Sequence, residues 1–139
     1  MHKMKIIITL DDKNGMMFNK RRQSRDSVLN QKVKELVGEN QLFISPYSEK
    51  LFEGIEMEKI SCDNFLEVAT EDSYCFIEDA EVPVEKAKTL FVFRWNRVYP
   101  ADKFFAFDLE ANGFSLESSE EFVGSSHEKI TLQIYVKGE

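Results

Sequence analysis

The stretch AKTLFVFRWNRVYPADKFFAFDLEANGFSLESSEEF, residues 87–122, carries the clearest structural pattern in this chain. Large side chains recur at every second position of its first part, which predicts a long strand whose far end reaches solvent. These positions are Phe91, Phe93, Trp95, Arg97 and Tyr99. The segments DKFFAF, FSLESSEEFVG and KITLQIYVK then predict three strands, joined by turns at Asn112-Gly113 and at residues 124–126. The chain is therefore expected to end in an antiparallel hairpin.

Upstream of this stretch, short apolar segments alternate with helical patterns. KIIITL (Lys5–Leu10) and QLFIS (residues 41–45) predict buried strands. Between them, apolar residues recur at helical spacing from Asp26, a candidate cap, to Gly38, a left-handed stop. MEKIS and SYCFIED predict further strands, PYSEKLFEG predicts a helix, and DNFLEVA predicts a short helix capped by Asp63. Strands separated by helices, followed by a β-rich tail, indicate an α/β fold with a mixed sheet flanked by helices.

Length and composition limit the possible classes of protein. The 139 residues are 42% hydrophobic and 31% charged, which predicts one soluble domain spanning residues 1–139. The net charge of -7 argues against a nucleic-acid binder that uses its whole surface. Cys62 and Cys75 lack zinc-site spacing, and the apolar run Ile6–Leu10 is too short for a signal sequence or membrane span. A cytoplasmic protein without a metal site or membrane contact is expected.

The order of these elements resembles dihydrofolate reductase. The first strand is followed by Asp11, then Gly15, then a long loop and an acid, Asp26, at the start of a helix. Residues 87–122 resemble the family's long strand and the Asp-x-Phe-Phe turn after it, here Asp102, Phe104 and Phe105, and KITLQIYVK resembles its closing strand. The chain is shorter than the family between Glu53 and Ser73. The resemblance implies a shortened, divergent dihydrofolate reductase-like fold.

Several positions depart from what the family uses to bind its nicotinamide cofactor. Where the family has a Gly-Gly pair against the cofactor, this chain has Glu78 and Asp79, whose charges would repel an anionic ligand. Pro46 stands where the family has a basic residue for the cofactor phosphates, and Phe93 replaces a threonine that helps to hold the pterin ring. We therefore expect no cofactor, with NADPH disfavoured by Glu78, Asp79 and Pro46, and no NADPH-dependent reduction of dihydrofolate.

The run NKRRQSRD, residues 19–26, supplies the candidate site residues. The resemblance makes Asp26 the candidate catalytic acid, with an N-cap as the alternative role. Side chains of the same run can bind an anionic ligand or instead form a solvated loop. Phe93 can stack on a flat ligand or belong to the core. The candidate ligand-binding residues are Arg21, Arg22, Gln23, Arg25 and Phe93.

Three functional hypotheses follow. The first is a small-ligand or partner-binding domain that is not an enzyme. The second is a reductase-like enzyme with Asp26 as its acid and an anionic substrate held by Arg21, Arg22 and Arg25. The third is a local nucleotide or nucleic-acid contact through Lys20 to Arg25, whose affinity would fall steeply with salt.

One further resemblance concerns GMMFNKRRQSRD, residues 15–26, which is similar to short bacterial proteins that sometimes carry the name ribonuclease Z. That metal-dependent nuclease requires an H-x-H-x-D-H motif. His2 and His127 are the only histidines here and neither lies in such a motif, so a metal-dependent ribonuclease is excluded.

Overall fold

The computed structural model describes residues 4–70 and 73–138. Its strands are β1 Met4–Leu10, β2 Gly15–Phe18, β3 Arg21–Arg22, β4 Gln41–Ile44, β5 Glu58–Ser61, β6 Tyr74–Phe76, β7 Ala87–Arg94, β8 Lys103–Phe104, β9 Phe114–Phe122 and β10 Ile130–Lys137. The α-helices are α1 Ser27–Val37 and α2 Phe65–Val68, and 3₁₀ helices span Pro46–Phe52 and Val84–Lys86. No helix in the described ranges is long and apolar enough to cross a membrane.

The main sheet has seven strands in the order β5-β4-β6-β1-β7-β10-β9. Strands β5, β4, β6, β1 and β7 pair in parallel, and β10 pairs antiparallel with both β7 and β9. The predicted mixed sheet with an antiparallel C-terminal hairpin is therefore confirmed. Because the parallel strands all point the same way, the segments that follow β1, β4, β6 and β7 gather at one end of the sheet, where ligands usually bind in such folds.

Helix α1 covers one face of this sheet. Asp26 is its N-cap and Gly38, at φ 59°, is its C-cap, as the sequence pattern predicts. Leu29, Val33 and Val37 recur on one side of the helix and are fully buried against the sheet. Each such side chain contributes on the order of 2 kcal/mol of hydrophobic free energy.

The core lies on both sides of the sheet because successive strand residues face opposite ways. Ile6, Ile8 and Leu10 of β1 belong to the cluster beneath β2 and α2, whereas Ile7 belongs to the cluster beneath α1. Strand β7 divides in the same way, with Phe91 and Phe93 on the α1 side. The central strands of the sheet are thus buried on both faces, as expected for parallel strands, whereas most of the edge strand β9 is exposed.

Four local predictions differ from the structure. Strand β7 ends at Arg94 and not at Tyr99, because Asn96 takes a left-handed conformation with φ 61°. DKFFAF contributes only Lys103–Phe104, and this strand pairs with β2 in a separate three-stranded sheet, β3-β2-β8. The predicted loop after β1 contains the hairpin β2–β3. Helix α2 begins after Asn64, whose side chain makes no capping bond, so Asp63 is not its cap.

Candidate functional site

Asp11, at the end of β1, organises the loop that carries the candidate residues. Its buried carboxylate accepts hydrogen bonds from the backbone amides of Lys13 at 2.8 Å, Gly15 at 2.7 Å and Tyr99 at 3.1 Å. Burial opposes ionisation of Asp11, but these amides and the Gln23 side chain together lower its pKa. Asp11 therefore holds the β2–β3 hairpin against the segment that follows β7.

Gln23, a candidate ligand-binding residue, belongs to the same internal network. Its Nε2 donates to Asp11 Oδ2 at 3.1 Å and to the carbonyl of Pro100 at 3.3 Å. Its Oε1 is buried and has no hydrogen-bond partner in the described part of the chain. The amide donor of Gln23 is therefore already used within the protein.

Arg22 points inward and forms an ion pair with Glu78, two residues after the end of β6. Arg22 Nε and Nη2 donate to the two carboxylate oxygens at 2.8 and 3.0 Å, and Ser48 Oγ donates to the same carboxylate at 2.6 Å. The guanidinium also lies 4.7 Å from the centre of the Tyr47 ring. The hydrogen bond to Glu78, which outweighs burial, raises the pKa of Arg22.

This pair changes the expectation that Glu78 and Asp79 both face a ligand. The Glu78 side chain is only 4% exposed and its charge is compensated by Arg22, so it does not present a free anion to the cleft. Asp79 accepts a hydrogen bond from Ser45 Oγ at 2.9 Å. The Arg22 guanidinium donates to Glu78 and lies over the Tyr47 ring, so few of its N–H donors are available to an anionic ligand.

Asp26 is buried, and its carboxylate is surrounded by donors from two segments. Oδ1 accepts from the amides of Val28 at 2.9 Å, Leu29 at 3.3 Å and Ser125 at 2.9 Å. Oδ2 accepts from the amide of Ser126 at 2.9 Å and contacts His127 Nδ1 at 2.9 Å. Burial opposes ionisation, yet the Ser126 and Ser125 amides, His127 and the Leu29 amide together lower the pKa of Asp26 far below its ordinary value of 3.8.

His127 joins this carboxylate to two hydroxyl groups. Its Nε2 lies 3.0 Å from Ser24 Oγ and 3.1 Å from the Tyr99 hydroxyl, and its ring stacks on Trp95 with 4.6 Å between centres. We call Ser24, Asp26, Tyr99 and His127 the histidine network. Sequence reasoning missed Ser24, Tyr99 and His127 as partners of Asp26, because His127 lies 101 residues beyond it on a loop without a recognisable motif.

Gly124 allows that loop to approach Asp26. A Cβ at this position would overlap Asp26 Oδ2 and would lie 2.9 Å from both Asp26 Cγ and Ile130 Cδ1. Because the carboxylate is held by amides on both sides, it cannot move away at low cost.

Replacing Gly124 by alanine is therefore expected to lower the free energy of unfolding by about 1–3 kcal/mol, the usual cost of overpacking. Denaturant unfolding measures this change. Gly138→Ala is the matched control, because its Cβ would meet nothing closer than the Gly113 carbonyl at 3.7 Å. If the two variants lost equal stability, the close approach at Gly124 would not be the cause.

Phe93 lies in the core. None of its surface is exposed, and its ring packs edge-on against Phe122 with 6.2 Å between centres. It lines none of the cavities described below, so a ligand has no surface of Phe93 to stack on in this structure.

The cleft between Asp26 and the sheet is almost filled. The remaining cavity has a volume of about 10 Å³. It is lined by Thr9, Ser24, Arg25, Leu29, Asn30, Leu51, Phe76, Glu78 and Trp95. Such a space holds about one water molecule and excludes a pterin ring.

The rest of the basic run faces solvent. Lys20, Arg21 and Arg25 are exposed, and they form no ion pair within residues 4–70 and 73–138. Asn19 and Lys20 form the β2–β3 turn with φ values of 54° and 63°. Since Arg22 turns inward, the run does not form one continuous cationic surface.

Larger cavities are open to solvent, among them one of about 240 Å³ at the N-terminus of α1, lined by Arg25, Asp26, Ser27, Asn30, Ser125 and Ser126. Another, of about 410 Å³, is lined by Met17, Lys20, Tyr47, Asp79, Asp102 and Lys103. We call it the hairpin cavity, because the β2–β3 hairpin covers residues that follow β4 and β6. A further cavity, of about 480 Å³, is lined by Trp95, Asn96, Arg97, Ser126, His127, Glu128 and Lys129. Among the described residues, no group of three or more His, Cys, Asp or Glu is placed to hold a metal ion.

Comparison with known proteins identifies the architecture. No protein-family model matches the chain, and no curated protein matches its sequence. A solved structure of dihydrofolate reductase from Enterococcus faecalis, complexed with NADP(H) and RAB-propyl, matches with a TM-score of 0.67 at 9% sequence identity. The match covers 98% of this chain and 96% of that chain. This protein therefore has a dihydrofolate reductase-like fold.

Proposed function

We propose that this protein binds a small organic anion in the hairpin cavity and does not reduce dihydrofolate with NADPH. The observation that carries the proposal is the contrast between two spaces. The cleft between α1 and the sheet retains about 10 Å³, whereas the hairpin cavity offers about 410 Å³, within the usual range for small-molecule sites.

The loss of reductase chemistry is supported by the state of its expected acid. To bind a pterin, a carboxylate must present free oxygen atoms to the ligand. Both oxygens of Asp26 already accept hydrogen bonds from the chain itself, through Ser125, Ser126 and His127 among others. The same contacts disfavour the alternative of an enzyme with Asp26 as its acid and with Arg21, Arg22 and Arg25 holding the substrate, because Arg22 is paired with Glu78.

The charges around the hairpin cavity indicate the class of ligand. Asp79 already accepts a hydrogen bond from Ser45 Oγ, and Asp102 accepts one from the amide of Asn19 at 3.0 Å. The ammonium groups of Lys20 and Lys103 have no hydrogen-bonded or ion-paired partner in the part of the chain that the structure describes. The two Asp and two Lys side chains sum to zero charge, but the ammonium groups are the donors without partners, and they can bind an anionic group on the ligand.

The apolar part of the ligand would lie against Tyr47 and Met17. Both side chains line the cavity, and the Tyr47 ring is fixed by the guanidinium of Arg22 and by packing against the core. A carboxylate or phosphate on a small flat body fits both halves of the cavity. A long anionic polymer is less favoured, since Lys20, Arg21 and Arg25 do not form one surface with Arg22.

Thermal unfolding with small aromatic carboxylates and nucleoside monophosphates tests this proposal, because a ligand that binds only the folded protein raises its melting temperature. We expect at least one such compound to raise it in the wild type. The shift should be lost in the double variant Lys20→Ala, Lys103→Ala and kept in Lys50→Ala, an exposed lysine outside the cavity.

Calorimetry with NADPH and with dihydrofolate completes the test. We expect no binding of either compound at micromolar concentrations. Micromolar affinity for NADPH, or oxidation of NADPH in the presence of dihydrofolate, would overturn the first part of the proposal. A ligand shift that survived in the double lysine variant would overturn the second.

A further inference from the structure

The histidine network has the connectivity of a nucleophilic site. Asp26 Oδ2 lies 2.9 Å from His127 Nδ1, and His127 Nε2 lies 3.0 Å from Ser24 Oγ. A serine hydroxyl, the far nitrogen of an imidazole and a carboxylate on its near nitrogen are the groups that activate serine in hydrolases of unrelated folds. We propose that Ser24 is an activated nucleophile that accepts an acyl group from small esters, a role independent of ligand binding in the hairpin cavity.

The direction of the hydrogen bonds supports this arrangement. Asp26 is ionised, because the amides around it hold its pKa far below the ordinary value. An ionised carboxylate can only accept, so His127 must carry its proton on Nδ1 and donate it to Oδ2. In the neutral imidazole, Nε2 is then left with a lone pair that faces the Ser24 hydroxyl. This is the tautomer that a general base for Ser24 requires.

The ring of His127 is held in this orientation by its surroundings. It stacks on Trp95 at an interplanar angle of 28°, and its side chain is 3% exposed. Asp26 is fixed in turn by the N-terminal amides of α1 and by the amides of Ser125 and Ser126. Asp26 is therefore a positioning residue, which orients the imidazole without touching the reacting atoms.

The space beside Ser24 limits what it can accept. Ser24 is partly exposed and lines the cavity of about 10 Å³ together with Thr9 and Arg25. Because that cavity holds about one water molecule, a small acyl group such as acetyl has to approach Ser24 from its exposed side, with its leaving group directed outward. Arg25 forms no ion pair within the described residues, so its guanidinium is available to offset negative charge that develops on the carbonyl oxygen.

The reaction balances without a cofactor. Ser24 Oγ attacks the carbonyl carbon of the ester, and its proton passes to His127 Nε2 as the new oxygen–carbon bond forms. The ester bond then breaks, and the leaving alcohol or phenol takes the proton from Nε2. Water attacks the acyl-serine by the same proton route and releases the acid, which regenerates Ser24.

Two hydroxyl groups lie within hydrogen-bond distance of His127 Nε2, that of Tyr99 at 3.1 Å and that of Ser24 at 3.0 Å. A neutral imidazole has one lone pair there, so only one hydroxyl donates to it at a time. Removing the Tyr99 hydroxyl leaves Ser24 as the remaining donor, and acylation in Tyr99→Phe should be at least as fast as in the wild type.

The experiment uses p-nitrophenyl acetate with the full-length protein. We expect release of p-nitrophenol together with one acetyl group that peptide mass spectrometry places on Ser24. Acetylation at residue 24 should disappear in Ser24→Ala, and its rate should fall about 100-fold or more in His127→Gln, the usual contribution of a general base. Ser27→Ala is the matched control, because Ser27 is a nearby exposed serine that does not contact His127, and it should react like the wild type.

The result on the wild type is decisive whether or not the variants fold. An adduct on another residue would overturn the proposal, and so would the absence of both acetyl-Ser24 and any release of p-nitrophenol above the rate without protein. Equal acetylation of Ser24 in wild type and in a folded His127→Gln variant would overturn it as well, because a serine without an imidazole base would then react just as fast. Both outcomes leave ligand binding in the hairpin cavity untouched.

Discussion

Replacing Arg22 by alanine is expected to lower the free energy of unfolding by about 3 kcal/mol, measured by denaturant unfolding at neutral pH. The reason is that the substitution leaves the buried carboxylate of Glu78 without its cationic partner. The Glu78 side chain is 4% exposed, and among the residues that the structure describes, Arg22→Ala leaves it only the hydrogen bond from Ser48 Oγ. A buried charge without its partner costs far more than the pair itself contributes.

The neighbouring arginines supply the control for Arg22. Arg21→Ala and Arg25→Ala remove the same charge from exposed positions, and each should change stability by no more than about 0.5 kcal/mol. The double variant Arg22→Ala, Glu78→Gln should recover part of the loss, because a neutral amide replaces the unpaired anion. Equal losses in Arg21→Ala, Arg22→Ala and Arg25→Ala would contradict an internal role for Arg22.

The elements that the sequence predicted correctly are those with local causes. Helix α1 has its cap at Asp26, its stop at Gly38 and its apolar spacing within one segment. The buried strands β1 and β4 are apolar runs bounded by polar residues, so no distant partner is needed to recognise them. The order of these elements was enough to identify the fold class.

What the sequence did not reveal depends on partners far apart in the chain. Arg22 and Glu78 are 56 residues apart, so the sequence does not show that they form a pair. A run of basic residues predicts a cationic surface, and nothing local indicates that Arg22 turns inward. The β2–β3 hairpin was missed because its turn residues, Asn19 and Lys20, lack the glycine that marks such turns, although both take positive φ. The partners of Asp26 were missed for the same reason as those of Arg22.

Together, Arg22–Glu78 and Asp26–His127 explain why the cleft is closed. In both pairs, a group on the loop after β1 or at the start of α1 is bound to a residue from a distant segment. Charges that an open pocket would offer to a ligand are satisfied by the protein itself. Opening the cleft would therefore require breaking a partly buried ion pair as well as displacing side chains.

Replacing Asp26 by asparagine is expected to lower the free energy of unfolding at pH 7 by about 3–5 kcal/mol. Asparagine has nearly the same shape but carries an NH₂ group in place of one carboxylate oxygen. That group would face donors already directed at this site, either the amides of Val28 and Ser125 or His127 Nδ1. Buried donors would lose their acceptor, and His127 would lose the anion that fixes its tautomer.

The same substitution should change how stability depends on acid. The pKa of Asp26 in the folded protein lies below its ordinary value of 3.8, which approximates the unfolded state. Its contribution is therefore complete above the ordinary value and is lost as the pH falls toward the folded-state pKa, because the unfolded chain takes up the proton first. Asp26→Asn should weaken the fall in stability below about pH 5. The pKa of Asp11 is also lowered, so the stability of the variant should still decrease in acid, but less than that of the wild type.

Unfolding titrations at several pH values between neutral and strongly acidic distinguish this effect from a simple loss of contacts. Asp12→Asn is the matched control, because it removes an exposed carboxylate next to the buried Asp11 and should shift stability by no more than about 0.5 kcal/mol at any pH. If Asp26→Asn kept the full acid dependence of the wild type, the carboxylate would not be the ionised centre of the histidine network. The tautomer assigned to His127, and with it the activation of Ser24, would then lose its physical basis, because both require an anion at Asp26.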